Sequence, residues 1–519
     1  MRTASVTGIS YTLAQSSLTE PGATAVWLAV IGVLVGSCVL LSRFSERLGL
    51  PVVLLFLVLG MLGGSEGLGR IVFEDYGLAV RIGTIALVLI LLDGGLNTSI
   101  SAVRQVFWPA TSLATLGVFL TAAAVAGFGR LLGLTWTEAL LLGAVVSSTD
   151  AAAVFAVLRG GRISLKQKLS RTLELESCVN DPMAIILTVA LVEIFQSTAG
   201  TGGVAGGMGG VNWWKVAGQV PAQLIIGTLV GVTVGTIGHW LLSRVRLTTS
   251  GLYPALTISL AFVSFGAATL AWGSGFMAVF ATGMVLGNSR RLPFGNSLGR
   301  VHDAVAWLSQ IGMFLMLGLL VFPSRLVPVA WTGLSLGVFL ALVARPVAVW
   351  LCTRGFGFDW RETTYLSVVG LRGAVPVILA TFPVLAGVEG ADRVFNLVFF
   401  IVVVSSVMPG LLIRPLAGWL RVNVPDRPTP ETVLEINAAH RLDGNLVAFH
   451  IDRTLAVCGA ELRQIDFPAG AAVALLVRGR EVIAAKGTTR LQPGDHVYVF
   501  FREADRPLVE LLFGAPTRS

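Results

Sequence analysis

Charge is scarce in this chain: Asp, Glu, Lys and Arg together make up 13% of its 519 residues, against 54% for hydrophobic types. Soluble globular domains carry about a quarter charged residues, so that class is excluded for most of the length. Cysteine is scarce as well. Cys38, Cys178, Cys352 and Cys458 form no CxxC and hold no ligand spacing with the five histidines, which implies neither a disulfide frame nor a zinc site. They read as reduced structural thiols. No stretch of the TVGYG kind occurs, which argues against a channel filter. A GxGxxA match around Gly200–Gly210 follows a membrane span and no strand, so it reads as an external loop and implies no dinucleotide cofactor.

Long apolar runs are what the chain has in plenty. Mean hydropathy is +0.80, and runs of the length needed to cross a bilayer, about 20 residues, follow one another from Ala25 to about Leu420. The class implied is a polytopic helical membrane protein. Sixty glycines sit largely inside these runs, where small residues let helices approach closely. The net charge of +8 falls in loops between spans and sets topology, so no nucleic-acid partner is inferred. The first apolar run continues to about Leu41, too long for a cleaved signal core, and reads as a retained span.

Apolar windows predict about thirteen spans: 24–42, 49–64, 78–99, 108–132, 138–158, 174–195, 219–243, 251–272, 275–289, 303–322, 327–351, 363–386 and 394–419. Loops after odd-numbered spans hold most of the Lys and Arg, which places the N-terminus outside and the C-terminus in the cytoplasm. After Val424 a polar, Pro-rich stretch, "VPDRPTPET", introduces short strand-like runs: Leu446–Ile451, Ala472–Val477, Glu481–Ala485 and His496–Phe501, then a helix over Arg506–Leu512. "RGRE" and "PGD" read as turns. The expected organisation is a membrane domain over 1–425, a linker at 426–430 and a small cytosolic α+β domain over 431–519. The last is too poor in catalytic groups to be an enzyme.

Ionisable residues inside a membrane cost about 2.5–3.5 kcal/mol each to insert, so each is a functional candidate. They are Asp93 in "LLDGGL", Asp150 in "SSTDAA", Glu174, Glu176 and Asp181 in "ELESCVNDP", and Arg372 in "GLRGAVP". Ser177 and Asp181 are spaced i,i+4, as are Glu176 and Asn180, which makes two neighbouring faces of one helix. The first, a hydroxyl and a carboxylate, suits a dehydrated monovalent cation. The second, a carboxylate and an amide, suits a structural partner, and Arg372 from the twelfth span is the expected one. Pro182 is expected to loosen the helix beside Asp181. Asp93 serves either the ion or the end of its span, and Glu174 reads as solvated at the cytoplasmic edge.

The fifth span is interrupted by Ser147, Ser148, Thr149 and Asp150, and the twelfth by Gly370, Gly373 and Pro376. Paired broken helices that cross near the midplane offer carbonyls and opposed helix ends to an ion, and these two fall at matching places if six-span repeats flank the seventh span. Asp150 and Arg372 are then placed to offset half-helix dipoles. The fold class expected is an all-α polytopic membrane domain with inverted repeats and two broken crossing helices, plus the α+β module.

With "SSTD", "ESCVNDP" and "GLRGAVP" in one chain, residues 24–420 resemble the NhaP-type monovalent cation:proton antiporters. The resemblance implies that Asp181 is the shared cation and proton site, with Ser177 and the unwound backbone near Thr149 as co-ligands. It further implies that Asn180, Glu176 and Arg372 form a stabilising triad, and Asp93 stands where the family often has Glu. From "GAELRQIDFPAG" and "LQPGD", the last ninety residues look like the ligand-binding half of the potassium-regulatory RCK unit, TrkA-C, without a preceding nucleotide-binding half, so no nicotinamide cofactor is implied. Antiporters of this build are often bacterial, dimeric potassium:proton exchangers of the cytoplasmic membrane. A cyclic dinucleotide is the ligand the resemblance suggests for the module, with Arg478, Arg480 and Lys486 as basic groups for its phosphates. The readings in competition are antiport of K⁺ or Na⁺ against H⁺, symport of an organic anion or solute with a cation on a similar architecture, and a non-transporting ion sensor.

Overall fold

The structure, a computed structural model, describes residues 20–48, 51–160, 163–199, 213–245, 249, 251–289, 295–373, 375–424, 445–453, 455–479 and 481–514. The Gly200–Gly210 stretch, the linker at 426–430 and Arg480 lie outside them. The chain divides into two compact units, Met1–Val424 and Pro425–Ser519.

Apolar helices build the first unit. They begin with α1 (Glu20–Leu48), α2 (Val52–Gly63), α3 (Tyr76–Asn97), α4 (Ile100–Ser112) and α5 (Val118–Leu131), the last two joined through a π-helical turn at Leu113–Gly117. Next come α6 (Trp136–Val145), α7 (Ala151–Gly160), a two-residue strand β1 (Ser164–Leu165), α8 (Gln167–Ala199), α9 (Trp213–Arg244), α10 (Leu252–Leu270), α11 (Gly275–Gly287) and α12 (Gly295–Leu319). The unit closes with α13 (Pro323–Leu326), α14 (Ala330–Phe339), a π turn at Leu340–Ala344, α15 (Arg345–Thr353), α16 (Trp360–Val368), α17 (Val375–Leu385), α18 (Ala391–Trp419) and β2 (Asn423–Val424). Helix occupies each of the expected windows. Among the described residues nine helices are long and apolar enough to cross a membrane, while Val52–Gly63, Trp136–Val145, Gly275–Gly287 and Val375–Leu385 are shorter.

Glycine sets the closest helix contacts, as its content implies. A Cβ on Gly95 of α3 would stand 3.0 Å from the Gly283 Cα of α11, and one on Gly60 of α2 would stand 2.8 Å from the Gly318 Cα of α12. These backbones meet because neither partner carries a side chain.

Two helices are broken, and each break has a local cause. After α6 the Ser147 hydroxyl donates to the Ala144 carbonyl at 2.7 Å, the kind of side-chain bond that competes with helix continuation. Beyond α16 the chain runs through Gly370 to Gly373 and resumes as α17 with Pro376 in its first turn, where the missing N–H costs nothing. The Asp150 N–H donates to the Leu371 carbonyl at 2.8 Å, so the two unwound segments are bonded where they cross. Pro182, by contrast, does not end α8, which runs unbroken from Gln167 to Ala199. The tight surroundings of Met183, Ala184 and Ile186, all buried, hold the helix through it, and only the Cys178 carbonyl loses its helical donor.

Most buried apolar residues of this unit fall into a large central cluster and a second one drawn from α7, the first turns of α8, α15, α16 and the end of α18, including Val154, Leu169, Val349, Leu366, Leu371 and Leu420. The second cluster backs the helix crossing on one side.

The second unit holds β3 (Asn445–His450), β4 (Ala472–Arg478), β5 (Glu481–Ala484), β6 (His496–Phe501) and α19 (Arg506–Phe513). The strands form one antiparallel sheet in the order β3-β6-β4-β5. Alternation drives it: Phe449, Leu476, Val497, Val499 and Phe501 turn inward against Val509 and Phe513 of α19. Gly479 (φ 58°) and Gly494 (φ 94°) occupy the two expected turns in the left-handed region.

Candidate functional site

α8 delivers Glu176, Ser177, Asn180 and Asp181, and the break between α6 and α7 delivers Ser148, Thr149 and Asp150. Asp181, Ser177, Thr149, Asp150, Asp93 and Glu174 all line one cavity of about 580 Å³. The site residues expected on the cation-binding face are therefore together. Ser177 Oγ donates to the Thr149 carbonyl at 2.9 Å, which pins the unwound strand to α8. Asp150 Oδ1 accepts from the Ala153 N–H at 3.2 Å, so this carboxylate caps the exposed start of α7, where the helix dipole favours negative charge. Asp93 lies a turn inside α3 rather than at its end, and its Oδ1 accepts from Asn97 Nδ2 at 3.1 Å.

The second face is buried behind the cavity. Asn180 Nδ2 donates to Thr149 Oγ1 at 2.6 Å, and Thr149 Oγ1 faces Glu176 Oε1 at 3.4 Å. The expected partner of Glu176 is corrected by the structure: Arg345, the first residue of α15, reaches Glu176 Oε1 at 2.6 Å, both side chains being almost wholly buried. Arg372 is also fully buried, its carbonyl accepting from Ser406 Oγ at 2.9 Å, and no ion pair within 4.0 Å is recorded for it among the described residues. Arg345 prevails because Gly370 opens space for it; a Cβ there would stand 2.8 Å from Arg345 Nε. Glu176 Oε2, Asn180 Oδ1, and two guanidinium nitrogens each of Arg345 and Arg372 lack a hydrogen-bond partner among the described residues. Buried polar atoms without a partner are uncommon in a packing core.

Sequence reasoning missed Arg345, although "LVARPVAVW" sets a lone Arg inside an apolar window, the same signal that picked out the others. It also missed Asp303 and Gln310 of α12, which line the same cavity as Asp93. Asp303 stands in the first turns of α12, at the end of its apolar window, where a carboxylate reads as solvated.

In the second unit Arg478 is not a free solvent-facing base. Its Nε and Nη2 grip both oxygens of the fully buried Asp495 at 2.8 and 2.9 Å, and this bonding raises the guanidinium pKa further. Lys486 is exposed. His450 and His496 face each other across β3 and β6 with ring centroids 4.9 Å apart. Burial, and then the neighbouring His450, lower the His496 pKa below the ordinary histidine value, with Asp495 opposing. The folded state therefore resists a proton that the unfolded chain accepts near pH 6.5, so stability from this group is present above that value and declines as pH falls through it. Hydrogen exchange at the Val497–Phe501 amides of the whole protein, corrected for intrinsic chemistry, is expected to accelerate between about pH 7.5 and about pH 5.5. His496→Gln is expected to flatten that dependence; an unchanged slope would assign it elsewhere.

A carboxylate cavity held between two unwound, crossing helices in the midst of apolar spans defines the protein as a secondary ion transporter of the broken-helix class. The profile of the transmembrane sodium/hydrogen exchanger family matches residues 31–419, and that of the TrkA-C domain matches residues 446–514. The chain belongs to the sodium/hydrogen exchanger family. It is 38% identical to the K(+)/H(+) antiporter NhaP2 of Shewanella sp. (strain ANA-3), covering 93% of this chain and 83% of that one. It is likewise 38% identical to the K(+)/H(+) antiporter NhaP of Alkalimonas amylolytica, covering 95% and 84%. Among solved structures it is similar to the sodium proton antiporter MjNhaP1 of Methanocaldococcus jannaschii, with a TM-score of 0.64 and 22% identity over 76% of this chain and 99% of that one, a likeness of fold.

Proposed function

We propose that the chain exchanges a monovalent cation, K⁺ in preference to Na⁺, for H⁺, with Asp181 as the carboxylate that proton and cation occupy in turn. The observation that carries this reading is the meeting of Asp181, Ser177 and the Thr149 backbone in one cavity at the crossing of the broken helices. A carboxylate, a hydroxyl and carbonyl oxygens are hard donors of the kind a dehydrated alkali cation takes. Because one group serves both ions, binding of either expels the other, and alternation of the site between two faces of the membrane turns competition into exchange. Thr149, with Asn180 and the Glu176–Arg345 pair behind it, holds the unwound strand in register; Asp150 and Asp93 add field without being the exchanged site. Arg372 compensates the carboxylates from the second unwound segment. The preference for K⁺ is supported by the names of the relatives at 38% identity.

In this reading residues 1–425 transport, residues 431–519 regulate, and the chain sits in a bacterial cytoplasmic membrane as a homodimer, N-terminus outside and C-terminus inside. The module takes a small cytosolic ligand, a cyclic dinucleotide among them; with Arg478 committed to Asp495, Lys486 is the exposed base left for a phosphate among the described residues of the expected three.

One carboxylate carrying either one proton or one monovalent cation moves no net charge. Side-by-side titration of KCl and NaCl against the same proton gradient in proteoliposomes is expected to give exchange with both salts and the lower half-saturating concentration for KCl. It is expected to produce no current on a solid-supported membrane. A transport current that scales with rate would overturn the one-for-one scheme, and preference for NaCl would overturn the ion assignment.

A further inference from the structure

The loop between α7 and α8 carries an unexplained feature. Its strand β1 pairs antiparallel with β2, Ser164 opposite Val424 and Leu165 opposite Asn423, and the Lys166 N–H extends the ladder to the Val422 carbonyl at 3.0 Å. β2 is the last element of the first unit before the chain continues toward the TrkA-C module. α7 and α8 are the two helices that hold the cation site, Asp150 capping one and Ser177 and Asp181 riding on the other.

The chain reaches this pairing through the turn that ends α18. Arg421 takes φ 55° in a Schellman motif, its N–H donating to the Gly418 carbonyl at 3.2 Å and the Val422 N–H to the Ala417 carbonyl at 3.2 Å. Val422 is then wholly buried in the apolar cluster with Val154 and Val157 of α7 and Leu169 of α8, and Leu165 packs against the same cluster. Arg414 Nε donates to the Val157 carbonyl at 3.0 Å, and Lys166 Nζ meets Glu362 of α16 at 3.1 Å. The end of α18 is thereby fastened to α7, to α8 and to the helix that leads into the second unwound segment.

We propose that the β1–β2 pair is the joint through which the C-terminal module acts on the cation site, a regulation of the site assigned above and resting on that assignment. α7 has ten residues, roughly 15 Å as a rigid rod, so a displacement at its β1 end is delivered to its capped start at Asp150. A two-residue ladder is short enough to open and close at small cost, unlike a full sheet. The joint biases which face of the membrane the site favours, and a bias of that kind alters apparent cation affinity by the fraction of competent state while leaving the transport step itself in place.

The test is a cycle on the full-length protein in proteoliposomes, read as the apparent KM for K⁺ and the maximal rate. Leu165→Ser loosens β1 from its apolar seat. Insertion of Gly-Ser-Gly between Val424 and Pro425 leaves the joint intact but slackens its connection to the module. Each is expected to change KM at least threefold, in the same direction, with the maximal rate within twofold of the parent, and the two together are expected to do no more than either alone, because both cut one line of transmission. Should Leu165→Ser fail to fold, Lys166→Ala keeps the backbone ladder but removes the tie from the end of β1 to Glu362 of α16, and is expected to shift KM in the same direction by less. An unchanged KM on slackening, effects that multiply when combined, or a collapse of rate rather than KM would each overturn the proposal. Absence of exchange in the parent protein would strike the assignment of function instead.

Discussion

Asp181→Asn is expected to abolish cation-driven proton exchange, reducing it to the level of membranes without the protein. The substitution keeps the shape of the side chain and its place in the cavity shared with Ser177 and Thr149, but an amide neither releases a proton nor neutralises a cation. The loss is therefore of the exchanged group and not of the fold. Everted vesicles with a pH-sensitive dye provide the measurement, and membrane insertion, followed by fluorescence-detected size exclusion, is expected to match the parent. Asp150→Asn offers the contrast: it leaves Asp181 in place, keeps an oxygen to cap α7 and removes only the Asp150 charge from the field of the site, so exchange is expected to fall without vanishing. Full activity in Asp181→Asn would remove this carboxylate from its assigned role.

The second large effect is expected at the Glu176–Arg345 pair. Both side chains are almost wholly buried and 2.6 Å apart, and removing one partner leaves the other charge unpaired in a medium that solvates it poorly, which costs about 3–5 kcal/mol. Glu176→Gln and Arg345→Met are each expected to lower thermal stability in detergent sharply, while the double variant recovers most of the loss, since no charge is then orphaned. Arg372→Met is expected not to rescue Glu176→Gln in the same way, which separates the pair seen in the structure from the pairing that helix spacing suggested. If the double variant is as unstable as the sum of the singles, the two residues act independently.

The reasons one pairing was legible and the other was not are geometric. Within α8 the i,i+4 rule assigned Ser177 with Asp181 and Glu176 with Asn180 to neighbouring faces, and the structure has the first two lining the cavity and the second two behind it. Local chemistry also marked the breaks: serines in one span, glycines and a proline in the other. Pro182 removes the donor to the Cys178 carbonyl beside Asp181, as its chemistry requires, while buried neighbours on its flanks keep α8 continuous. The guanidinium that meets Glu176 depended on which helix passes over Gly370, and nothing in "GLRGAVP" or "LVARPVAVW" orders those two segments in space.

By itself the sequence determined the membrane class, the two broken helices, the carboxylates worth suspecting and the small sheet domain that follows, because each depends on hydrophobic length, on period, or on the backbone preferences of a few adjacent residues. Only the tertiary structure decided that Arg345 is the partner of Glu176, that Asp303 and Gln310 share the cavity with Asp93, that Arg478 is spent on Asp495, and that the strand after α18 is laced to the loop between α7 and α8. These are contacts between residues far apart in the chain. Their geometry is set by how helices cross and where glycine lets one backbone approach another, and no periodicity along a single segment records that.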